Sequence, residues 1–115
     1  MNATATDVVI LGGGLAGLSL AIQLKQREPA IGVTVLERRP HPVREAAFKV
    51  GESTVEIGAH YFSDVLGFRE HLENEQIRKF GFRFFFSEGR NDIDRCTELG
   101  VSQLLPSPSW QLDRG

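Results

Sequence analysis

Four consecutive apolar residues, Val8-Val9-Ile10-Leu11, begin the hydrophobic pattern of the chain. The run is too short for a globular helix and rich in β-branched types, which predicts a strand buried on both faces. Glycines follow at 12, 13 and 14, and apolar residues then return at helical spacing. Leu15, Leu18 and Ile22 make one stripe, and Leu20 and Leu24 a second. The pattern predicts a helix from Leu15 to about Glu28, buried on more than one side and ended by Pro29. Val33-Thr34-Val35-Leu36, opened by Gly32, predicts a second strand. Pro40 and Pro42 then forbid helix and central strand alike.

Further on, Ser53 and Glu56 have the spacing of a capping box. They predict a helix starting near Thr54, burying Ile57, Tyr61, Val65 and Leu66 and stopping about Gly67. A short helix is expected from Phe68 to about Gln76. Phe82, Phe84 and Phe86 alternate with Arg83 and Phe85, as on a strand with at least one well-buried face. Ser87 to Asn91 make a polar turn, and a strand around Arg95 to Leu99 is expected to return antiparallel. Pro106 and Pro108 mark a loop before Trp110-Gln111-Leu112-Asp113-Arg114.

The order strand, glycines, helix, strand gives the fold class: α/β, a Rossmann-like βαβ core with a partly antiparallel addition. The chain has 115 residues, enough for one domain. A doubly wound sheet needs more than two parallel strands, so residues 1–115 are expected to form the N-terminal part of a longer protein.

Gly12, Gly14 and Gly17 have the spacing G-x-G-x-x-G, and each has a physical task. The first allows the turn out of the strand, the second lets a diphosphate approach the backbone, and the third lets helix and sheet pack closely. Leu15 and Ala16 begin the helix, whose free N–H groups and positive dipole end face that phosphate. Glu37 follows Gly17 by twenty residues, where a carboxylate accepts hydrogen bonds from an adenosine ribose. Arg38 and Arg39 suggest a 2′-phosphate, but Glu37 would repel it, which favours an unphosphorylated ribose.

A net charge of −2 gives no basic field for nucleic acid or membrane, leaving a small molecule as the expected ligand. A single cysteine, Cys96, cannot form an internal disulfide, and a cytoplasmic location fits this best. The run from Val8 to Leu24 is preceded by Asp7 and broken by glycines, unlike a targeting or transmembrane segment. His41, His60 and His71 are too scattered for a metal site or triad, so no metal is expected.

Gly12-x-Gly14-x-x-Gly17-x-x-x-Ala21-x-x-Leu24 with Glu37 is similar to the FAD-binding start of flavoprotein monooxygenases of the glutathione-reductase-like fold. Gly51-Glu52-Ser53-Thr54 followed by Lys79-Phe80-Gly81-Phe82-Arg83-Phe84 resembles flavin-dependent tryptophan halogenases. The resemblance runs from Asp7 to Arg114. It implies that FAD, reduced through a separate flavin reductase, reacts with oxygen and oxidises a halide. A lysine then holds or carries the halogen to an aromatic substrate such as tryptophan. Lys79 matches that lysine. Gly12, Gly14 and Gly17 would bind the FAD diphosphate, Glu37 the ribose, and Arg44, Gln111 and Arg114 other parts of the cofactor. Gly51, Glu52, Ser53 and Thr54 would form a strap between flavin and substrate. Other motifs of the family would fall beyond Gly115, so this stretch alone is expected to be inactive and to bind FAD poorly.

Each residue also has a plainer reading. Lys79 can snorkel to water beside a strand. The phenylalanines can be sheet core, and equally the walls of a pocket for an aromatic substrate. Ser53 and Glu56 can be a helix cap and Glu52 a solvated acid. Arg44 and Arg114 can be surface charges, and Cys96 an inert thiol. At the level of function, the alternatives are a flavin monooxygenase or reductase without halide chemistry, and a nucleotide-binding module without redox chemistry.

Overall fold

A computed structural model of the chain describes residues 5–40, 52–87, 89–101 and 106–113. β1 (Val8–Leu11) leads through the glycines into α1 (Leu15–Arg27), and β2 (Val33–Leu36) returns parallel to β1. The register pairs Val8 with Val33 and Leu11 with Leu36, so this is the βαβ unit expected from the hydrophobic pattern. Its lower end is pinned where the Gly32 N–H donates to the Asp7 carboxylate at 2.7 Å and the Asp7 N–H to the Gly32 carbonyl at 2.9 Å. Its upper end is pinned where the Gly12 N–H donates to the Leu36 carbonyl at 2.8 Å.

The unit is less buried than its sequence implies. Ile10 is buried toward α1, but Val9 and Leu11 on the other face are 51% and 82% exposed. The expectation of a strand covered on both faces is therefore corrected: a helix lies on one side of this two-stranded sheet, and among the described residues nothing covers the other. Leu15, Leu18 and Leu20 of α1 are likewise exposed, so the helix is not buried on several sides.

After residue 52 the chain forms α2 (Glu56–His60), a π-helical turn at Tyr61–Val65 and α3 (Arg69–Glu75). The helix starts two residues later than expected, and Ser53 and Glu56 do not cap it. Val55 is the N-cap and no side chain bonds there. The wider π turn also rotates the buried stripe. Ala59, Ser63 and Leu66 face inward, whereas Ile57 and Val65 are exposed and Tyr61 is half-buried. Two hydrogen bonds dock this helical segment on α1, from Tyr61 Oη to Gln23 Oε1 at 3.0 Å and from Gln26 Nε2 to the Leu66 carbonyl at 3.0 Å.

Next come β3 (Ile77–Arg78), β4 (Arg83–Phe86), a 3₁₀ turn at Ile93–Arg95, β5 (Thr97–Gly100) and β6 (Trp110–Gln111). β3 pairs antiparallel with β6, and Ser53 bridges to Gln111 on the other side of β6. The Glu52–Thr54 segment thus flanks β6 opposite β3. β4 and β5 form the expected antiparallel ribbon, with Phe84 opposite Leu99. Its phenylalanine face is not buried, however: Phe82, Phe84 and Phe86 are all more than half exposed. A two-stranded ribbon can bury such a face only against another layer. The radius of gyration, 19.3 Å, exceeds the roughly 13 Å of a compact chain this long.

The principal core lies in the second half of the chain. Trp110, at 1% exposure, packs with Ala59, Leu72 and Leu112, and Phe62 lies against them.

Candidate functional site

Two clusters of candidate residues emerge, joined through α1. The first is the glycine turn. Gly12 has φ +113°, a conformation that side chains rarely adopt. A Cβ on Gly17 would collide with the Gly12 carbonyl oxygen and lie 3.2 Å from Ile10 Cγ2, so only glycine lets α1 come this close to the turn. A Cβ on Gly14 would meet nothing within 4 Å. The three glycines therefore divide as the spacing predicts: strained turn, open approach and close packing.

Gly14 is also the N-cap of α1. No side chain caps this end and no acid lies in the first helical turn. The N–H groups of that turn, on Leu15, Ala16 and Gly17, have no intrahelical acceptor by the geometry of the helix, and Leu15 and Ala16 are exposed. An uncapped helix start over open space suits an anion.

Glu37 lies on this turn. Its Oε2 accepts the Gly13 N–H at 2.8 Å and its Oε1 the Arg39 N–H at 2.9 Å. The bond from Gly13, then that from Arg39, hold the Glu37 carboxyl below the usual carboxylate range. Glu37 is thus a fixed negative charge at the rim of the turn. Gly13, its anchor, is a participant that motif spacing does not mark, because any residue can offer an N–H there.

The second cluster surrounds Lys79, directly after β3. The Lys79 N–H donates to the Ser109 carbonyl at 2.9 Å, and its Nζ donates to the Thr54 carbonyl at 2.8 Å. The same ammonium lies 4.6 Å from the centroid of the Phe82 ring. Lys79 is half-buried and tied to the Glu52–Thr54 segment, which differs from the plain snorkelling reading. Thr54 is buried, and Leu112 N–H donates to the Glu52 carbonyl at 2.8 Å. Gln111 is exposed beside Ser53. Trp110, which no motif marked, holds the cluster from below; its status as the single tryptophan of the chain was the available signal.

A cavity of about 720 Å³ lies beside α1, with Leu15 and Leu18 on one side and Phe62, His71, Leu112 and Asp113 among the residues on the other; neither the glycines nor Lys79 lines it. That volume is within the range of small-molecule sites. Arg38 is exposed next to Glu37. Arg44, Gly51 and Arg114 lie outside the described residues, as does His41. Among the described residues no group of acids, histidines and cysteine is placed to hold a metal ion, and no helix is long and apolar enough to cross a membrane.

Comparison with known proteins accords with this geometry. The chain is 29% identical, over 94% of its length, to the flavin-dependent halogenase chlA of Dictyostelium discoideum, and spans 19% of that protein. A stretch of 35 residues, 30% of the chain and 5% of the relative, is 49% identical to the bifunctional protein ThiO/ThiG of a Synechocystis species. No solved structure matches the chain. Residues 10–80, including the glycine turn, Glu37 and Lys79, match the NAD(P)-binding Rossmann-like domain, and the chain belongs to that family.

Proposed function

We propose that this chain is the N-terminal, FAD-binding part of a flavin-dependent oxidoreductase of the halogenase type, acting on an aromatic small molecule such as tryptophan. The observation that carries the cofactor reading is the glycine turn itself: an uncapped helix start, open space over Gly14 and the Glu37 carboxylate fixed on Gly13. These residues fit FAD. The N–H groups of Leu15, Ala16 and Gly17 would take the diphosphate, and Glu37 would accept from the ribose hydroxyls. Its held negative charge disfavours a 2′-phosphate at the same place.

When bound and reduced, with electrons from a separate flavin reductase, FAD would supply activated oxygen for oxidation of a halide. The protein's share is to bind, orient and exclude water. Lys79 would hold the hypohalous acid by donating a hydrogen bond from its ammonium, which is kept by the Thr54 carbonyl and the Phe82 ring. The Glu52–Thr54 segment, placed beside β6, would be the strap between flavin and substrate. Support comes from the likeness to the halogenase chlA over nearly the whole chain and from the link between Lys79 and the strap.

The test is product formation on the full protein with reduced FAD, oxygen and bromide or chloride, followed by mass spectrometry of an indole acceptor. Wild type is expected to yield halogenated product and Lys79→Met none. Equal yields from both would remove the halogenase reading, and oxygenated product without halide would favour a monooxygenase.

A further inference from the structure

Opposite residues of an antiparallel ladder alternate between pairs that exchange both main-chain bonds and pairs that exchange none; beside the Ser53–Gln111 bridge, Thr54 and Trp110 hold a position of the first kind, where each N–H would reach the other's carbonyl. Only one of the two bonds forms. The Thr54 N–H donates to the Trp110 carbonyl at 2.9 Å, as the ladder requires. The return bond from the Trp110 N–H goes instead to Thr54 Oγ1, at 2.9 Å. The same hydroxyl donates to the Trp110 carbonyl at 2.8 Å, so one side chain serves as donor and acceptor to a single residue. The Thr54 carbonyl, replaced in the ladder by its own hydroxyl, accepts the Lys79 ammonium.

We propose that Thr54 is the positioning residue of Lys79: its hydroxyl takes the Trp110 N–H and so releases the Thr54 carbonyl to fix the ammonium. The role rests on the reading of Lys79 as the halogen-holding amine. Both partners of the clasp are buried, Thr54 at 8% and Trp110 at 1% exposure, so the hydroxyl has no competition from bulk water. Lys79 is also held at its main chain by Ser109, the residue before Trp110. One buried strand thus fixes the backbone of the lysine directly and its tip through Thr54. A lysine side chain is long and flexible, and positioning it needs an acceptor that does not move.

Deleting the hydroxyl while keeping the shape should let the Trp110 N–H reclaim the Thr54 carbonyl and loosen the ammonium. The protein is treated with formaldehyde and cyanoborohydride, and methylation of each lysine is followed by peptide mass spectrometry. Lys25, whose Nζ is bonded to the Pro29 and Ile31 carbonyls, is the internal reference because its bonds do not involve Thr54. In Thr54→Val, Lys79 is expected to be methylated about three- to tenfold faster than in wild type, with Lys25 unchanged. Thr54→Ser, which keeps the hydroxyl, is expected to restore the wild-type rate. Trp110 fluorescence reports whether the core stays intact. If the valine variant fails to fold, Thr54→Cys takes its place, since a thiol is only a weak hydrogen-bonding group. An unchanged Lys79 rate, a parallel rise at Lys25, or a serine variant that behaves like valine would each overturn the proposal. Halide turnover separates the two readings: altered labelling with full activity in Lys79→Met leaves the positioning and removes the catalytic role, and unaltered labelling with an inactive Lys79→Met does the reverse.

Discussion

In the β1–α1–β2 unit the groups offered to a ligand are main-chain N–H groups on a glycine turn, and the unit itself is thinly covered, with Leu11 82% exposed. Around Lys79 the groups are side chains, and the strand behind them carries the most deeply buried large residue, Trp110. The first site is specified by backbone conformation and the second by packing. The same kind of substitution should therefore act differently in the two.

The largest effect is expected where packing governs. Trp110→Ala should lower stability by about 3–5 kcal/mol, measured by chemical denaturation, because the cavity opens among Ala59, Leu72 and Leu112 and both neighbours of the strand lose their support. In the glycine turn, Gly17→Ala should cost about 3 kcal/mol by driving α1 away from the Gly12 carbonyl. A cost below 0.5 kcal/mol there would show that the turn is not as close-packed as described.

Thr54→Val should have a smaller effect than either. It removes both hydrogen bonds of the hydroxyl to Trp110 while the Trp110 N–H passes to the Thr54 carbonyl, and denaturation should show a net loss of about 1 kcal/mol. Complete recovery of that stability by the serine variant is expected.

Glu37 gives a smaller effect, visible through pH. Its folded-state carboxyl titrates below the usual range because of the Gly13 and Arg39 N–H groups. The folded state thus binds that proton less readily than the unfolded chain does. The stabilisation is complete above the ordinary carboxylate range and is lost as pH falls through the lowered value. Glu37→Gln should flatten the acid side of a stability–pH curve and leave the alkaline side unchanged. The smallest effect is expected on the exposed ribbon, where Phe84→Thr should change stability by no more than about 0.5 kcal/mol. A loss several times larger would mean that the phenylalanine face is covered.

The contrast also explains what the sequence made legible. β1, α1, β2, α3 and the β4–β5 pairing follow from local pattern, and the glycine spacing follows from backbone geometry that holds wherever the chain lies. Burial does not follow so readily. Val9, Leu11, Phe82 and Phe84 suggest core because they are apolar, but exposure depends on which other layers are present. Ser53 and Glu56 have capping spacing, yet Ser53 pairs with Gln111 instead, and the π turn moves Ile57 off the buried stripe. The Thr54–Trp110 clasp joins residues 56 positions apart, and no local pattern encodes it. Lys79 was legible as a candidate from its motif, whereas its partners Thr54, Ser109 and Phe82 became visible as partners only in the fold.

In the function proposed above, the glycine turn receives the diphosphate of an adenine dinucleotide. Gly14 is the position to change, because its φ of −80° suits any residue and a Cβ there meets nothing within 4 Å. FAD should be titrated into wild type and Gly14→Val while amide resonances are followed by NMR. Shifts centred on residues 12–17 and 37 are expected in wild type, with their loss in a variant whose remaining spectrum is unchanged. Equal shifts in the two proteins, or shifts centred elsewhere, would contradict diphosphate binding at the turn.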